Sequence, residues 1–166
     1  MSKQKCSRCG RRTEQKNLFV IDDAPICVKC LYGDADPLAV YPIGIVRSGF
    51  KRARKGFGVV GDSDTSRIEL FASQKPFLYK LEEEKNVMVL YYFHEARPVR
   101  SIFNRGLDGK KVGVFASRTP DRLSRIGVQD VSLVKIEGTT LYVKGLDAVD
   151  GSPVLDIKLK WSSLSD

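Results

Sequence analysis

The sequence lacks the features that mark membrane and secreted proteins. No apolar run approaches the ~20 residues that a membrane-spanning helix needs. The first residues, MSKQKCSRCG, have no apolar core of the kind found in a secretory signal peptide. We therefore expect a cytoplasmic protein with no membrane segment.

The common nucleotide-binding and hydrolase motifs are also missing. The chain has no P-loop, no G-x-S-x-G element and no G-x-G-x-x-G after a strand. Internal repeats and low-complexity tracts are absent, and His94 is the single histidine. A lone histidine is more often a hydrogen-bonded edge residue than a catalyst. The sequence itself identifies no catalytic residue, and we assign no general base.

The charge balance is strongly basic. Among 166 residues, 28 are Lys or Arg and 20 are Asp or Glu, so the net charge is +8 and the pI is near 9.4. Basic surfaces are typical of nucleic-acid-binding proteins, because Lys and Arg displace condensed counterions from phosphates. Many basic proteins bind no nucleic acid, so charge alone leaves both interpretations open.

Four cysteines form two tight pairs near the N-terminus. The spacing C-x2-C, seventeen residues, C-x2-C is typical of a tetrahedral four-thiolate zinc site. Free thiols, disulfides or iron are the alternatives. The segment that holds these cysteines would be a zinc ribbon. It would serve as a structural or dimer-contact module, or would touch RNA through Lys3, Lys5, Arg8, Arg11 and Arg12. The four predicted ligands are Cys6, Cys9, Cys27 and Cys30.

Most of the remaining chain has the pattern of β-strands. Residues 87–93 are almost all apolar, as in a central strand buried on both faces. In 155–161, Leu155, Ile157, Leu159 and Trp161 alternate with polar residues. A short helix is predicted from Pro76 to about residue 84, with Phe77, Leu78 and Leu81 facing inward. The other predicted strands are 40–47, 67–72, 112–116, 128–136 and 141–144.

Three polar loops are candidates for binding. Residues 117–125 and 147–153 follow or join predicted strands, and strand ends fix loops well, so both are candidates for one site. A third loop, 50–57, carries four positive charges between Phe50 and Phe57. It predicts either a phosphate-gripping loop with stacking aromatics or a solvated basic loop. Its charged residues are Lys51, Arg52, Arg54 and Lys55.

An ordered series of motifs carries a family resemblance. GVFASRTPDR…IG followed by IEGTTLYVKGLDAVDGSPVLDIK resembles the TrmO-like family of S-adenosylmethionine-dependent tRNA methyltransferases. That family reads G-V-F-A-T-R-S-P-x-R-P-N-P-I-G, then G-L-D-x-x-D-G-T-P-V-L-D-I-K. YPIGIVRS at 41–48 and YYFH at 91–94 resemble its opening strand and its central strand ending in histidine. The resemblance covers roughly residues 41–161.

The resemblance implies a fold, a reaction and a site. It implies a small β-barrel-like domain acting as a homodimer, with S-adenosylmethionine as cofactor and tRNA as partner. The reaction would be N6-methylation of threonylcarbamoyladenosine beside the anticodon. Apart from the resemblance, a basic loop predicted at 95–111 would form a positive face with Arg118, Arg122 and Arg125, or these charges would be scattered over the surface. On such a face Arg122 and Arg125 would bind RNA. The implied cofactor contacts are His94, Glu95, Arg118, Leu146, Val149, Asp150, Gly151 and Ser152.

The expected organisation is therefore mostly β. A zinc-ribbon module at 1–33 precedes a linker at 34–39, a barrel-like domain with one short helix at 40–161, and a tail at 162–166. One motif departs from the family: its R-P-N-P-I-G is Arg122-Leu-Ser-Arg-Ile-Gly127 here, which loses two stiffening prolines and an asparagine. The departure keeps two alternatives open, a non-catalytic RNA-binding or cofactor-sensing protein and a methyltransferase with another substrate.

Overall fold

The chain forms two compact units, each built from two separate stretches of sequence. The computed structural model describes residues 3–49, 65–95 and 97–160. Met1–Ala39 and Ala96–Arg125 make up the first unit, called here the ribbon unit, and Val40–Glu95 and Ile126–Asp166 make up the second, the barrel unit.

Within the described residues the fold is mostly β, as expected. The strands are β1 (Lys3–Lys5), β2 (Arg12–Glu14), β3 (Leu18–Ile21), β4 (Ala24–Cys27), β5 (Gly44–Arg47), β6 (Thr65–Leu70), β7 (Asn86–Tyr92), β8 (Ile102–Asn104), β9 (Lys111–Gly113), β10 (Ile126–Glu137), β11 (Thr140–Lys144) and β12 (Pro153–Leu159). One α-helix, α1 (Val28–Tyr32), follows β4, and four short 3-10 helices join other elements. None of the helices in the described part of the chain combines the length and apolar character needed to span a bilayer.

Six strands of the barrel unit close into an antiparallel barrel. The order is β10-β11-β6-β5-β12-β7, and β7 pairs back to β10. Strand β7 therefore has a partner on each edge, as a central strand must. Its side chains alternate between fully buried and half-buried, because a closed sheet has one packed interior and every second residue faces away from it. The prediction that both faces of this strand are buried was wrong, since only one face is fully buried.

The barrel interior is filled by aliphatic side chains from all six strands. Val87 and Val89 of β7 meet Leu141 and Val143 of β11, and all four are fully buried. The long strand β10 and strand β11, which contain the predicted strands 128–136 and 141–144, form a hairpin around Glu137-Gly138, with Glu137 opposite Thr140.

The exit strand is interrupted by a β-bulge. Register along β12 shifts between Val154 and Asp156, so Leu155 falls within the irregularity. On the far side of the bulge Ile157 pairs with Val89 and packs against the core, whereas Leu159 pairs with Val87 but is 39% exposed. The bulge was not visible in the pattern, and Trp161 lies outside the described residues.

The predicted helix at 76–84 is replaced by two 3-10 helices. They span Ala72–Leu78 and Leu81–Glu83, and between them Lys80 adopts a left-handed φ of 64° that stops helical propagation. Leu78 is buried and Leu81 packs on the core, but Phe77 is 78% exposed, so its predicted inward orientation was wrong.

Segment 112–116 is also not one strand. Strand β9 ends at Gly113, and Val114–Ala116 forms a 3-10 turn that leaves Phe115 84% exposed. Strands β8 and β9 pair only with each other. The basic loop predicted at 95–111 thus contains β8 and the first residue of β9.

The ribbon unit is organised around a second hairpin. Strands β3 and β4 pair from Leu18–Cys27 to Ile21–Ala24. Asp22 and Asp23 form the turn with positive φ values of 49° and 63°, a conformation that Asp tolerates better than most residues. Cys6, Ile26 and Cys27 are the buried residues of this unit's small core. Residues 97–125, expected with the barrel, cluster with this unit, because main-chain hydrogen bonds join Val99 to the β3–β4 hairpin.

Candidate functional site

The turn between β11 and β12 is fixed at its first half by two side chains from neighbouring strands. We call residues 145–152 the cofactor turn, because five of the expected cofactor contacts fall within it. The Gln129 amide nitrogen of β10 donates to the Gly145 carbonyl, and the Asp147 N–H donates to Gln129 Oε1 at 2.9 Å. The Tyr91 hydroxyl of β7 donates to the Asp147 carbonyl at 3.2 Å. Backbone groups that would otherwise need water are therefore satisfied by the barrel.

The second half of the cofactor turn is fixed by β5 and the residue after it. The Ser48 N–H donates to Asp150 Oδ1 at 3.1 Å, and the Ser48 hydroxyl donates to the Ala148 carbonyl at 2.9 Å. The Val46 N–H donates to the Ser152 carbonyl and the Gly151 N–H donates to the Val46 carbonyl, both at 2.9 Å. A turn held at both halves is preorganised for a ligand.

His94 lies beside this turn, just past the end of β7. Its Nδ1 is 3.3 Å from the buried Ser152 hydroxyl, while the imidazole as a whole is exposed. Gly151 has a φ of +85°, and a Cβ placed there would lie 3.8 Å from His94 Nε2. A side chain at this position would be strained and would crowd the imidazole. Glu95, the next residue, is also exposed.

Two of the expected cofactor residues, Leu146 and Ser152, have buried side chains. The Leu146 side chain is fully buried in the barrel core, so a ligand at the cofactor turn meets only its backbone. Ser152 is buried and is in hydrogen-bond contact with His94. Asp150 is exposed, and its Oδ2 accepts no hydrogen bond among the described residues.

Gly127 shows why a glycine follows Ile126 in β10. A Cβ at this position would lie 2.7 Å from Tyr91 Cζ and 2.8 Å from Phe93 Cζ. The two rings pack edge to face with centroids 5.1 Å apart. Burial, and then the charge of Asp147, raise the pKa of the Tyr91 phenol, so it stays a neutral hydrogen-bond donor to the cofactor turn.

The arginine loop, residues 117–125, belongs to the ribbon unit and is closed by one of its own arginines. Arg122 Nε donates to the Thr119 carbonyl at 2.9 Å and its NH2 group donates to the Ser117 carbonyl at 2.6 Å. Those contacts use much of the donor capacity of Arg122 within the loop. Arg118 is exposed and has no hydrogen bond or ion pair within the described residues. Arg125 has a left-handed φ of 52°.

The four cysteine sulfurs are arranged as a metal site. All lie within 4.8 Å of one another, with Cys6–Cys30 at 3.9 Å and Cys9–Cys27 at 3.8 Å. A tetrahedral zinc site with bonds of about 2.3 Å places its sulfurs about 3.8 Å apart. The donor set therefore fits a four-thiolate metal ion with no open coordination position.

The protein environment prepares this cluster for a cation. Backbone N–H groups, first that of Cys27 and then that of Cys9, lower the pKa of Cys6 to about 6. Hydrogen bonds from Arg11 lower the pKa of Cys9. Contacts with Cys27 and then Cys9 raise the pKa of Cys30 to about 12. Thiolates crowded together without a cation cannot all ionise, and a bound cation removes that conflict.

The predicted residues fall into separate groups. His94, Glu95, Leu146 and 149–152 all lie in the barrel unit, and the last five surround one turn. Arg118, Arg122 and Arg125 lie in the ribbon unit, and Lys51, Arg52, Arg54 and Lys55 lie outside the described residues. Sequence reasoning missed Gln129, Tyr91 and Ser48. Tyr91 and Ser48 lie within motifs shared with the family, but the role of all three residues depends on cross-strand register, which the sequence does not show.

Known proteins match most of the chain. A family model described as the tRNA-methyltransferase O N-terminal domain matches residues 47–164. A probable S-adenosyl-L-methionine-binding protein of Methanothermobacter thermautotrophicus is 40% identical over 124 residues, which cover 73% of this chain and 88% of that protein. A tRNA (adenine(37)-N6)-methyltransferase of Mus musculus is 38% identical over 95 residues, covering 55% of this chain and 22% of that protein.

A solved structure agrees with the barrel. The crystal structure of TrmO from Pseudomonas aeruginosa superposes with a TM-score of 0.62 at 30% identity, covering 77% of this chain and 58% of that one. The chain thus spans little more than half of that solved protein and about a fifth of the mouse enzyme. By the extent of the family match, the chain belongs to the family of the tRNA-methyltransferase O N-terminal domain.

Proposed function

We propose that this protein is an S-adenosylmethionine-dependent tRNA methyltransferase that methylates N6 of threonylcarbamoyladenosine beside the anticodon. The observation that carries the proposal is the cofactor turn. Its motif GLDAVDG, which resembles that of the family, is held at both halves by residues of the barrel unit. Relatives named for binding S-adenosylmethionine and for methylating tRNA adenine 37 support the cofactor and the substrate.

The residues present fit the chemical needs of the methyl donor. Its carboxylate needs a cation, its amino group and ribose need acceptors, and its adenine needs a backbone-lined slot. The free Oδ2 of Asp150 is a ready acceptor. The main chain of Leu146 and of 149–152 would frame the base. Arg118 would pair with the carboxylate, for which its planar guanidinium is well shaped.

The chain's contribution to transfer would be positioning. When bound, the donor supplies an activated methyl group, so no metal or covalent intermediate is required. His94 and Glu95 lie at the end of β7 beside the cofactor turn. Ser152 would set the orientation of the imidazole through its contact with Nδ1. Transfer would join the methyl carbon to the substrate nitrogen as the donor's sulfur–carbon bond breaks, and the proton of the nitrogen would pass to solvent.

The tRNA would be held by basic residues. Lys51, Arg52, Arg54 and Lys55 supply the densest positive run in the sequence. Arg125 is a second contribution, whereas Arg122 would shape the arginine loop rather than grip phosphate, because its guanidinium is occupied by carbonyls. A cytoplasmic location follows from a tRNA substrate.

Zinc is the proposed occupant of the four-cysteine site. The sulfur spacing and the absence of an open ligand position favour a structural ion. A ribbon with so small a core gains most of its folding free energy from metal binding.

A homodimer is the proposed assembly. Phe77 and Tyr79 are about four-fifths exposed, at 78% and 81%, on one short segment of the barrel unit. Exposed aromatic side chains clustered on one face are typical of protein–protein contacts. Light scattering that gives the mass of one chain at micromolar concentration would contradict this assembly.

The function is tested with labelled methyl donor and two tRNA preparations. Purified protein should transfer label to tRNA that carries threonylcarbamoyladenosine and not to the same tRNA transcribed without modifications. Transfer to neither, with saturable donor binding, would favour the non-catalytic alternative. Absence of donor binding altogether would overturn the proposed function.

A further inference from the structure

The segment that carries the arginine loop has almost no core of its own. We call residues 97–125 the arm. Its buried side chains among the described residues are Val99 and Val114, whereas Ile102, Leu107 and Phe115 are exposed. A segment with so few buried apolar contacts opens at low free-energy cost unless something else holds it.

The β3–β4 turn of the ribbon holds the start of the arm. The Val99 N–H donates to the Val20 carbonyl and the Asp22 N–H donates to the Val99 carbonyl, both at 3.0 Å. The Asp22 carboxylate accepts from the Ser101 N–H at 2.9 Å and from the Ser101 hydroxyl at 2.5 Å. The hydrogen bond from the Ser101 hydroxyl, and then that from its backbone N–H, lower the pKa of Asp22.

Asp23 adds a second contact. It accepts two parallel hydrogen bonds from the Arg100 guanidinium, at 2.6 Å and 2.8 Å. The pair is largely exposed, so its own contribution to stability is small. Its bidentate geometry nevertheless fixes the direction in which the arm leaves the ribbon.

Hydrogen bonds carry this attachment on to the arginine loop. The Val114 N–H donates to the Ser101 carbonyl at 3.0 Å, and the Ser117 hydroxyl donates to the Val114 carbonyl at 2.7 Å. Arg122 then closes the loop on the Ser117 carbonyl. In parallel, Arg105 donates to the Ala116 carbonyl at 3.0 Å. The path from Asp22 to the arginine loop is continuous within the ribbon unit.

We propose that Asp22 and Asp23 are positioning residues through which the metal-bound ribbon holds the arm that bears Arg118. The β3–β4 hairpin runs directly into the cysteine cluster, since β4 ends at Cys27. Losing the metal would loosen that hairpin, and the arginine loop with it. The ribbon would thus be required for ligand binding although its metal has no open coordination position for chemistry. What the loop binds rests on the proposed function; its attachment does not.

The test uses full-length zinc-loaded protein and hydrogen exchange of the arm. In Arg100→Ala/Ser101→Ala, exchange in 111–122 should accelerate about three- to tenfold while zinc content stays at one per chain. Removal of zinc by a chelator should produce a larger acceleration. The matched control is Asp34→Ala, which removes a ribbon carboxylate paired with Lys29 at 2.8 Å and away from the arm contacts. Asp34→Ala should change neither the exchange rate in 111–122 nor the zinc content.

A second variant pair approaches the same contact from the ribbon. Asp22→Asn/Asp23→Asn keeps side chains that tolerate positive φ but removes both charges, and it should reproduce the acceleration with zinc retained. Unchanged exchange in both double variants, or an arm that stays fully protected after zinc removal, would overturn the proposal. Because hydrogen exchange needs no methyl donor, failure of the proposed function would leave this result interpretable.

Discussion

Individual residues at the cofactor turn divide into those that are exposed and those that hold the turn. Asp150, Gly151 and His94 are reachable from outside, whereas Gln129 and Tyr91 contact only the chain itself. The first group lies within or beside a family motif and could be predicted from the sequence. The supporting role of the second group could not, although Tyr91 lies in a family motif, because nothing in the sequence shows that β10 places Gln129 beside Gly145.

Replacing Gln129 tests this division. Gln129→Leu leaves the Gly145 carbonyl and the Asp147 N–H without their partner, so we expect a loss of about 1–3 kcal/mol in unfolding free energy. Faster hydrogen exchange in 145–152 should accompany it. The control is Gln74→Leu, since the Gln74 amide contacts only the neighbouring Ser73 hydroxyl. Native protection of the turn in Gln129→Leu would show that the glutamine does not hold it.

At the scale of elements, the cysteine spacing and the two-residue alternation of apolar residues predicted the observed structure better than the helical pattern at 76–84 did. The ribbon hairpin, β7, β10 and β11 all follow from local sequence, because apolar alternation and turn residues act within a few residues. The bulge in β12 and the 3-10 turn after β9 do not, since each depends on partners far away in the chain. The attachment of the arm to the ribbon depends on contacts between residues about eighty positions apart, such as Asp22 and Ser101.

Metal retention should depend on pH in a defined direction. The backbone N–H groups that lower the pKa of Cys6 to about 6 favour its thiolate, which is therefore present above that pH and lost below it. Zinc should stay bound between pH 7 and 8 and should be released progressively as the pH falls below about 6, where protons compete for the ligands. Zinc release measured with a colorimetric chelator checks this. A Cys27→Ser variant should lose most of its zinc already at pH 7, and retention in that variant would contradict a four-thiolate site.

At the scale of the whole molecule, the chain combines a family barrel with a ribbon unit. The barrel's closure and strand order could not be derived from strand patterns, which specify faces but not pairing. The net charge of +8 suits a polyanionic substrate, and binding to tRNA should weaken steeply as salt is raised. RNA binding that stays flat between low and moderate salt would favour a methyltransferase acting on another substrate.

The central proposal is that this protein binds S-adenosylmethionine and that Arg118 contributes to that binding. Calorimetric titration of S-adenosylmethionine into wild-type protein and Arg118→Ala tests it most directly. Arg118 has no partner within the described residues, so its loss should leave the melting temperature unchanged. The same variant should weaken donor binding about ten- to a hundredfold, the usual effect of losing a hydrogen bond to a charged group. Arg67→Ala, which removes an exposed arginine from β6, should bind as the wild type does; equal affinity in all three proteins, or no binding in any, would contradict the account.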